Sequence, residues 1–201
     1  MGAGKYIQET FEKEMAGKKD ANYNYKAIKR ERLLQYRKEK SAVVRVEKPT
    51  NPPKAHALGY KAKKGFLIAR VRIRKGGGKH ERARSRRKPK KQGIEKLTMK
   101  KNIQTIAEGR ASDKFKNCEV LNSYLVGEDG KHKYFEVILV DTSAPEIIAD
   151  KTINWICSNK QKGRVERGLT SAGKKARALR GKGKGYEKAR PSAAAHGNRL
   201  K

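Results

Sequence analysis

The sequence contains few cysteines and few aromatic residues. Its only cysteines are Cys118 and Cys157, and aromatic residues make up 6% of the 201-residue chain. The two cysteines form no C-x-x-C pair and have no histidine at ligand spacing, which excludes a disulfide framework and a cysteine-based zinc site, so we interpret them as buried thiols. With 35% hydrophobic residues, the chain cannot fill a core along its whole length. A core over about 100 residues is feasible where the apolar residues cluster.

Acidic residues are also scarce relative to basic ones. The chain has 20 Asp and Glu against 52 Lys and Arg, which gives a formal net charge of +32 and a pI of about 10.3. Repulsion of this size opposes compaction unless a polyanion neutralises it. Nucleic acid is the polyanion that we expect, and an anionic membrane surface is the weaker alternative. Because there is no run of about 18 apolar residues, we expect no segment that spans a bilayer.

The sequence lacks a catalytic or metal-binding constellation. Its four histidines are scattered, and two adjacent carboxylates lie in a predicted hairpin turn, where such residues usually form the turn. The stretch "GLTSAGKK", residues 168–175, is similar to a phosphate loop, but Lys175 stands where that loop needs Ser or Thr for Mg²⁺. We interpret it as a short basic helix that is capped by Thr170 or Ser171 and ends before Gly181. We therefore expect neither an enzyme nor a cofactor.

Composition divides the chain into three parts. Residues 1–40 form a basic N-terminal helical extension, residues 41–157 form an α/β core with a basic insertion at 75–93, and residues 158–201 form a glycine-rich basic C-terminal extension. Ordering the backbone costs about 1–2 kcal/mol per residue, which the insertion and residues 160–201 cannot offset by burying apolar surface. We therefore expect both segments to order only against a polyanion.

The N-terminal extension carries two helical patterns. Ile7, Phe11 and Met15 recur every four residues, which places them on one helix face, and Gly17 ends the pattern. Residues 24–40 are prone to form a helix, but their few apolar residues make a poor stripe. We expect this second helix to have no core of its own to pack on.

Residues 41–157 contain nearly all of the strand signals. The final strand is apolar on both faces, and a strand buried on both sides implies a sheet with helices on each face. The element order that we predict is β, short α, β, α, β, β, an α+β fold. Its signals are the β-branched run 41–49, the turn-rich linker 50–54, a helical turn within 56–65, the strand 65–74, a helix capped by Thr98 with Met99, Ile103, Ile106 and Ala107 as its stripe, the hairpin 119–141, and the two faces Phe135, Val137, Leu139 and Tyr134, Ile138, Val140 of its second strand.

The strand 65–74 runs directly into the basic insertion. Arg70, Arg72 and Arg74 alternate with apolar residues, so they lie on one strand face about 6.6 Å apart, close to the phosphate spacing of a nucleic-acid strand. Three glycines, Gly76 to Gly78, follow, and without side chains their backbone amides can approach phosphates closely. The strand is predicted to anchor a segment that folds only against a polyanion.

Seven motifs follow one another along nearly the whole chain. They are "MGAGKYIQE" at 1–9, "VVRVEKPT" at 43–50, "LGYKAKKG" at 58–65, "NIQTIAEGRA" at 102–111, "VLNSYLVGEDGKHK" at 120–133, "FEVILVD" at 135–141 and "RGLTSAGKKARALRGKGKGYEKARPS" at 167–192. Together they resemble the fifteen-e family of large-subunit ribosomal proteins of archaea and eukaryotes, and archaeal members most. The resemblance implies a four-stranded antiparallel sheet with helices on both faces and extensions threaded into ribosomal RNA. It implies a structural constituent of the cytoplasmic large subunit that binds its RNA and neighbouring ribosomal proteins, without catalysis.

Two sets of basic residues are expected to contact RNA. The resemblance implies Lys61, Lys63, Lys64, Arg70, Arg72, Arg74, Arg167, Lys174, Lys175, Arg177, Arg180, Lys182 and Lys184. Charge alone indicates Lys75, Lys79, Arg82, Arg84, Arg86, Arg87, Lys88, Lys90 and Lys91.

Two other functional classes have to be considered. A free-standing nucleic-acid chaperone or chromatin-type protein shares the charge but does not need long irregular tails shaped for one partner. An enzyme acting on RNA needs a carboxylate or metal constellation, which the sequence does not contain.

Overall fold

A four-stranded antiparallel sheet forms the centre of the molecule. The computed structural model describes residues 2–18, 20, 22–77, 86–93 and 99–181. The strands follow the sheet order β1-β2-β4-β3, and the α+β class and the element order of residues 41–157 are confirmed. The strands are β1 (Val43–Val46), β2 (Phe66–Arg74), β3 (Cys118–Glu128) and β4 (His132–Asp141), and the α-helices are α1 (Ala3–Ala16), α2 (Tyr25–Lys38), α3 (Pro52–Ala57), α4 (Ile103–Lys114), α5 (Pro145–Ile148) and α6 (Ser171–Ala176).

Strand β4 lies between β2 and β3 and is buried on both faces, as predicted. Its alternate side chains enter two separate cores because neighbouring residues of a strand point to opposite faces. Tyr134, Ile138 and Val140 join a core built with α1, α2, α3 and α5, whereas Phe135, Val137 and Leu139 join a core built with α4. Helices therefore cover both faces of the sheet.

The two N-terminal helices pack on the first of these cores. In α1, Phe11 is buried and Met15 packs beside it, but Ile7 is 48% exposed, so only part of the predicted stripe is used. Gly17 ends the helix in the left-handed conformation, at φ 64°. The expectation that residues 24–40 have no core to pack on was wrong, because Tyr36 is 3% exposed and its ring centroid lies 5.2 Å from that of Tyr134.

Two helices begin at asparagine caps that the sequence patterns did not reveal. Residues 50–54 were expected to be a linker, but α3 begins within them because Asn51 Oδ1 accepts a hydrogen bond from Lys54 N at 3.1 Å. Helix α4 begins later than expected, with Asn102 Oδ1 accepting from Thr105 N at 2.7 Å. Met99 therefore lies before the helix, and Thr98, the expected cap, lies outside the described residues.

Part of the C-terminal extension belongs to the folded core. Val165 and Ala172 are each 3% exposed and Thr170 is fully buried, so the expectation that residues 160–201 order only against a polyanion was wrong for residues up to about 176. Helix α6 has the predicted cap, since Thr170 Oγ1 accepts a hydrogen bond from Gly173 N at 3.1 Å. The helix ends earlier than expected, at Ala176.

Candidate nucleic-acid interface

The three arginines of β2 share one strand face, but their surroundings differ. Arg70 Nε and Nη2 donate to Glu39 Oε1 at 3.0 and 2.5 Å, and the guanidinium lies 4.2 Å from the ring centroid of Tyr36. Burial alone would lower the pKa of Arg70, but the hydrogen bond and charge of Glu39 outweigh it and raise the pKa. With a side chain only 15% exposed, Arg70 ties the end of α2 to the sheet.

A buried carboxylate lies beside Arg70 on β4. Glu136 is fully buried, and its carboxylate accepts hydrogen bonds from Thr50 N at 3.0 Å, from Thr50 Oγ1 and from the hydroxyl of Tyr124. Arg70 Nη1 lies 3.8 Å from Glu136 Oε1. Burial raises the pKa of Tyr124, and the negative charge of Glu136 raises it further, so the phenol remains a donor.

The other two arginines of β2 become progressively more exposed towards its end. Arg72 Nη1 donates to Glu39 O at 3.2 Å and to Arg37 O at 3.5 Å, so it caps the carboxyl end of α2. Arg74 is exposed. Of the expected row of three phosphate contacts, Arg74 is the one whose side chain faces solvent.

Two of the three lysines before β2 form ion pairs with one aspartate. Lys61 Nζ and Lys63 Nζ lie 2.9 and 2.5 Å from Asp150 Oδ2, and Lys64 is exposed. Hydrogen bonds from Lys63, from Thr152 and from Lys61 hold the pKa of Asp150 well below its usual range. Two of the three lysines therefore attach this loop to the segment after α5.

The described part of the basic insertion lies on the surface. Lys75 Nζ lies 3.5 Å from Glu128 Oε2 at the end of β3. Residues 86–91 are all exposed and include a single 3₁₀ turn, Pro89–Lys91. This stretch contains Arg86, Arg87, Lys88, Lys90 and Lys91, whereas Lys79, Arg82 and Arg84 lie outside the described residues.

The C-terminal basic residues lie on and around α6. Arg167 Nη2 donates to Lys160 O and Lys162 O at 2.6 and 2.7 Å, and Arg177 Nη1 donates to Arg167 O at 3.1 Å. Arg180 donates to Ser171 Oγ and is otherwise exposed. Lys174 and Lys175 are exposed on the helix, and Lys182 and Lys184 lie outside the described residues.

A second buried carboxylate fixes this C-terminal segment to the sheet. Glu108 of α4 is fully buried, with Oε1 accepting from Ser123 Oγ at 2.5 Å and Oε2 accepting from Thr170 Oγ1 at 2.6 Å. Burial raises the pKa of Glu108. This effect outweighs those two hydrogen bonds and the positive charge of Arg164, which lower the pKa. Because Thr170 also caps α6, this contact orients the lysines of that helix.

The fold brings two separate basic regions to one place. Gly76 and Gly77, at the start of the insertion, line the same groove as Lys175 of α6 and Lys133 of β4. Gly76 adopts φ 100°, which a residue with a side chain rarely does. The start of the insertion and helix α6 therefore lie beside the same groove. Gly78 lies outside the described residues.

The described ranges contain neither a candidate metal site nor a candidate membrane span. No group of three or more His, Cys, Asp or Glu there could hold a metal ion. The described helices include none that is long and apolar enough to cross a membrane.

Comparison with known proteins identifies the family. A model of the Ribosomal L15 family, of the L15e type, matches residues 2–196. The chain belongs to the ribosomal L15e family. A large ribosomal subunit protein eL15 from Methanocella arvoryzae is 53% identical over 171 residues, which cover 85% of this chain and 87% of the relative. Another eL15, from Methanospirillum hungatei, is 52% identical over 176 residues, which cover 88% and 89%.

Membership of the L15e family confirms the resemblance read from the seven motifs, including its archaeal character.

The charge pattern did not reveal the residues that hold the basic segments in place. Glu136 and Glu108 are isolated acidic residues next to apolar ones, and that placement was the available sequence signal of a buried carboxylate. Arg164 was also missed. Its side chain is largely buried and donates to Val120 O and Leu121 O at 2.5 and 3.0 Å, where β3 is bulged.

Proposed function

We propose that this chain is a structural constituent of the large ribosomal subunit in the cytoplasm, where it binds large-subunit ribosomal RNA and neighbouring ribosomal proteins. The observation that carries the proposal is the family match over residues 2–196. The relatives at 53% and 52% identity are both named as proteins of the large ribosomal subunit. The role is architectural, and we assign no catalytic step to the chain.

The contacts of the basic residues divide them into two groups, one that contacts RNA directly and one that holds the fold together. Exposed residues whose side chains bind no carboxylate or backbone carbonyl in the described part of the chain are the ones that we propose to contact phosphate directly. The others first hold their loops and helices in place through intramolecular bonds, namely Arg70, Arg72, Lys61, Lys63, Lys75, Arg167 and Arg177. Lys79, Arg82, Arg84, Lys182 and Lys184 stay predictions from charge and resemblance. The directly contacting set is Lys64, Arg74, Arg86, Arg87, Lys88, Lys90, Lys91, Lys174, Lys175 and Arg180.

Contacts with the core hold the segments next to the basic extensions in fixed positions. Arg70 and Arg72 attach the end of α2 to the sheet, and Glu108 attaches the segment before α6. We propose that residues 41–157 act as a rigid base from which the basic segments enter the RNA. A protein that neutralises RNA over a long, irregular path needs such fixed exit points, because each flexible residue adds an ordering cost on binding.

Sedimentation tests this function. Cell lysate is fractionated on a sucrose gradient, and mass spectrometry locates the chain. Comigration with large subunits, also after dissociation of the two ribosomal subunits, is the expected result. Recovery at the top of the gradient or with chromosomal DNA would contradict the proposal and favour a free-standing nucleic-acid chaperone or chromatin-type protein.

A further inference from the structure

A groove beside α4 has an apolar floor. It encloses about 790 Å³ between the end of β2, the start of α4, the β3–β4 hairpin and α6, within the range of roughly 300–1,000 Å³ that is typical of ligand sites. Ile103 and Leu125 are half-buried there, and Phe135 is buried beneath them. All three belong to the core on the α4 side of the sheet. The floor is therefore a rigid apolar surface that is still open to solvent.

The rim of the groove is positively charged. Lys100, Lys101, Lys133 and Lys175 line it, and none of the described lining residues is acidic. Lys133 Nζ lies 3.2 Å from Glu128 Oε2 outside the groove, whereas the other three lysines are exposed and have no acidic partner in the described part of the chain. Charge complementarity therefore calls for an anion next to an apolar or aromatic group.

The amide side chains at the groove are already bonded within the fold. Asn102 Oδ1 caps α4, and its Nδ2 donates to Ala172 O at 3.2 Å. Gln104 Nε2 donates to Ser123 O and Ser123 Oγ at 3.0 and 2.9 Å. Both N–H groups of Gln104 and one of the two N–H groups of Asn102 are therefore used within the fold, so the groove offers mainly apolar contact and positive charge rather than sequence readout.

We propose that this groove, the α4 groove, binds one unstacked nucleotide of a looped or single-stranded RNA. The base lies on the apolar floor and the flanking phosphates contact the lysine rim. Base-paired RNA cannot use the floor, because its bases are stacked inside the helix. An apolar protein segment would leave the lysines without counter-charge, so the surface favours RNA. This inference rests on the proposed function and specifies one site of it.

The test compares two RNAs on the full-length protein. One is a hairpin with 2-aminopurine in its loop, and the other is a fully paired duplex of equal charge. We expect the wild-type protein to bind the loop RNA about tenfold more tightly and to change its 2-aminopurine fluorescence, because the apolar floor removes one face of the base from water.

Matched variants locate the effect. Lys100→Ala/Lys101→Ala is expected to remove the preference for the loop, whereas Lys151→Ala/Lys160→Ala removes two exposed charges elsewhere and is expected to weaken the binding of both RNAs equally. Met99→Glu adds a carboxylate to the groove at a residue that is 39% exposed, so the core is undisturbed. We expect it to lower the affinity for the loop RNA about tenfold.

Three outcomes would overturn the groove assignment. The first is an equal effect of the groove and control variants on the loop RNA. The second is a photocrosslink from the loop base only to peptides that contain none of the groove residues, which are 76–77, 99–104, 125, 133, 135 and 175–176. The third is a crosslink showing that another protein segment fills the groove. Failure of the wild-type protein to bind either RNA would be a different result, since it would contradict RNA binding itself and not the location of one nucleotide.

Discussion

Glu136 sits in the middle of β4 between two residues of the opposite core, Phe135 and Val137. A buried carboxylate is tolerated when hydrogen bonds and a cation replace its water. Thr50, Tyr124 and Arg70 supply both here. The consequence for function is that Arg70, which by sequence belongs to a basic row, is held within the protein.

Removing this carboxylate should destabilise the fold. Glu136→Ala leaves the amide of Thr50 and the hydroxyl of Tyr124 without an acceptor and removes one of the charges beside Arg70. We expect a loss of about 2–4 kcal/mol in the free energy of unfolding, measured by urea denaturation. Glu166→Ala, at an exposed position, serves as the control and should change stability by less than about 0.5 kcal/mol. Equal effects would contradict the buried network.

Asp129 should make stability depend on pH at the acidic end. Partial burial raises the pKa of Asp129, but hydrogen bonds from the backbone of His132, from Arg37, from the backbone of Lys131 and from Tyr134 lower it overall, to about 2. The lowered pKa means that the unfolded chain takes up the proton first. The carboxylate therefore contributes its full stabilisation above about pH 4 and loses it as the pH falls through about 2.

The measurement compares Asp129→Asn with the wild type by urea denaturation between pH 2 and pH 6. The wild type should be more stable by up to about 2 kcal/mol at pH 6, and the difference should shrink towards pH 2. Asp113→Asn, at a side chain that is 75% exposed, is the control. A difference that stays constant over the range would show that Asp129 acts through packing alone.

The strands were easier to predict from sequence than the helix starts. Strand β4 and the hairpin could be read because apolar residues alternate over a long stretch and a Gly-containing turn separates the strands. The caps Asn51 and Asn102 lie in stretches without such a pattern, where one hydrogen bond decides the first helical residue. The docking of residues 160–181 could not be read from charge, because it depends on Thr170 meeting Glu108 across 62 positions of sequence.

The seven motifs gave the family because the match spans the chain in order, but they did not show which bases face outwards. Arg70 and Arg74 are equivalent by strand periodicity. The positions of Glu39, Tyr36 and Glu136 around Arg70 distinguish this bonded arginine from the exposed Arg74. Exposure of a charged side chain is decided by tertiary contacts, which periodicity does not contain.

Replacing either of two helical glycines by alanine should change the stability of the protein, but in opposite directions. A Cβ at Gly173 of α6 would lie 2.7 Å from Gly168 Cα, whereas one at Gly109 of α4 meets nothing within 4 Å. We expect Gly173→Ala to destabilise the protein by about 1–3 kcal/mol through this backbone clash. Gly109→Ala should stabilise it by about 0.5–1 kcal/mol through helix propensity. Urea midpoints test both, and a stabilising Gly173→Ala would contradict the close packing of α6.

The chain as a whole contains two populations of basic residues. One population, such as Arg164 and Arg70, completes the fold by pairing with carbonyls and buried acids. The other, such as Arg74 and Lys174, remains on the surface with uncompensated charge. The net charge of +32 already counts every carboxylate of the chain, so this excess belongs to the second population, which under the proposed function RNA neutralises.

RNA affinity should therefore depend steeply on salt. With about 6–10 phosphate contacts, the association constant should fall about 10³–10⁵-fold between 50 and 200 mM monovalent salt. Filter binding or fluorescence anisotropy measures this, and thermal unfolding of the free protein at both salt concentrations verifies that it is folded throughout. A flat response would show that binding does not depend on phosphate neutralisation.

Two truncations separate the folding and binding contributions of the C-terminal extension. Removing residues 182–201 deletes six basic residues and no described contact. This variant should unfold cooperatively with nearly wild-type stability, and the slope of its log affinity against log salt should decrease by up to about 4–5. Removing residues 160–201 also deletes Arg164, Val165 and Thr170. Glu108 then loses a hydrogen bond and its nearby cation.

The longer truncation should lower the free energy of unfolding by about 3–5 kcal/mol, because it exposes apolar surface and leaves a buried carboxylate without its compensating groups. Thermal unfolding followed by circular dichroism compares the two variants directly. If both were equally stable, residues 160–181 would not be part of the core, and Glu108 would have to be satisfied by another group. A broad, non-cooperative transition in the longer truncation alone is the result expected if Thr170 and Arg164 complete the α4 side of the sheet.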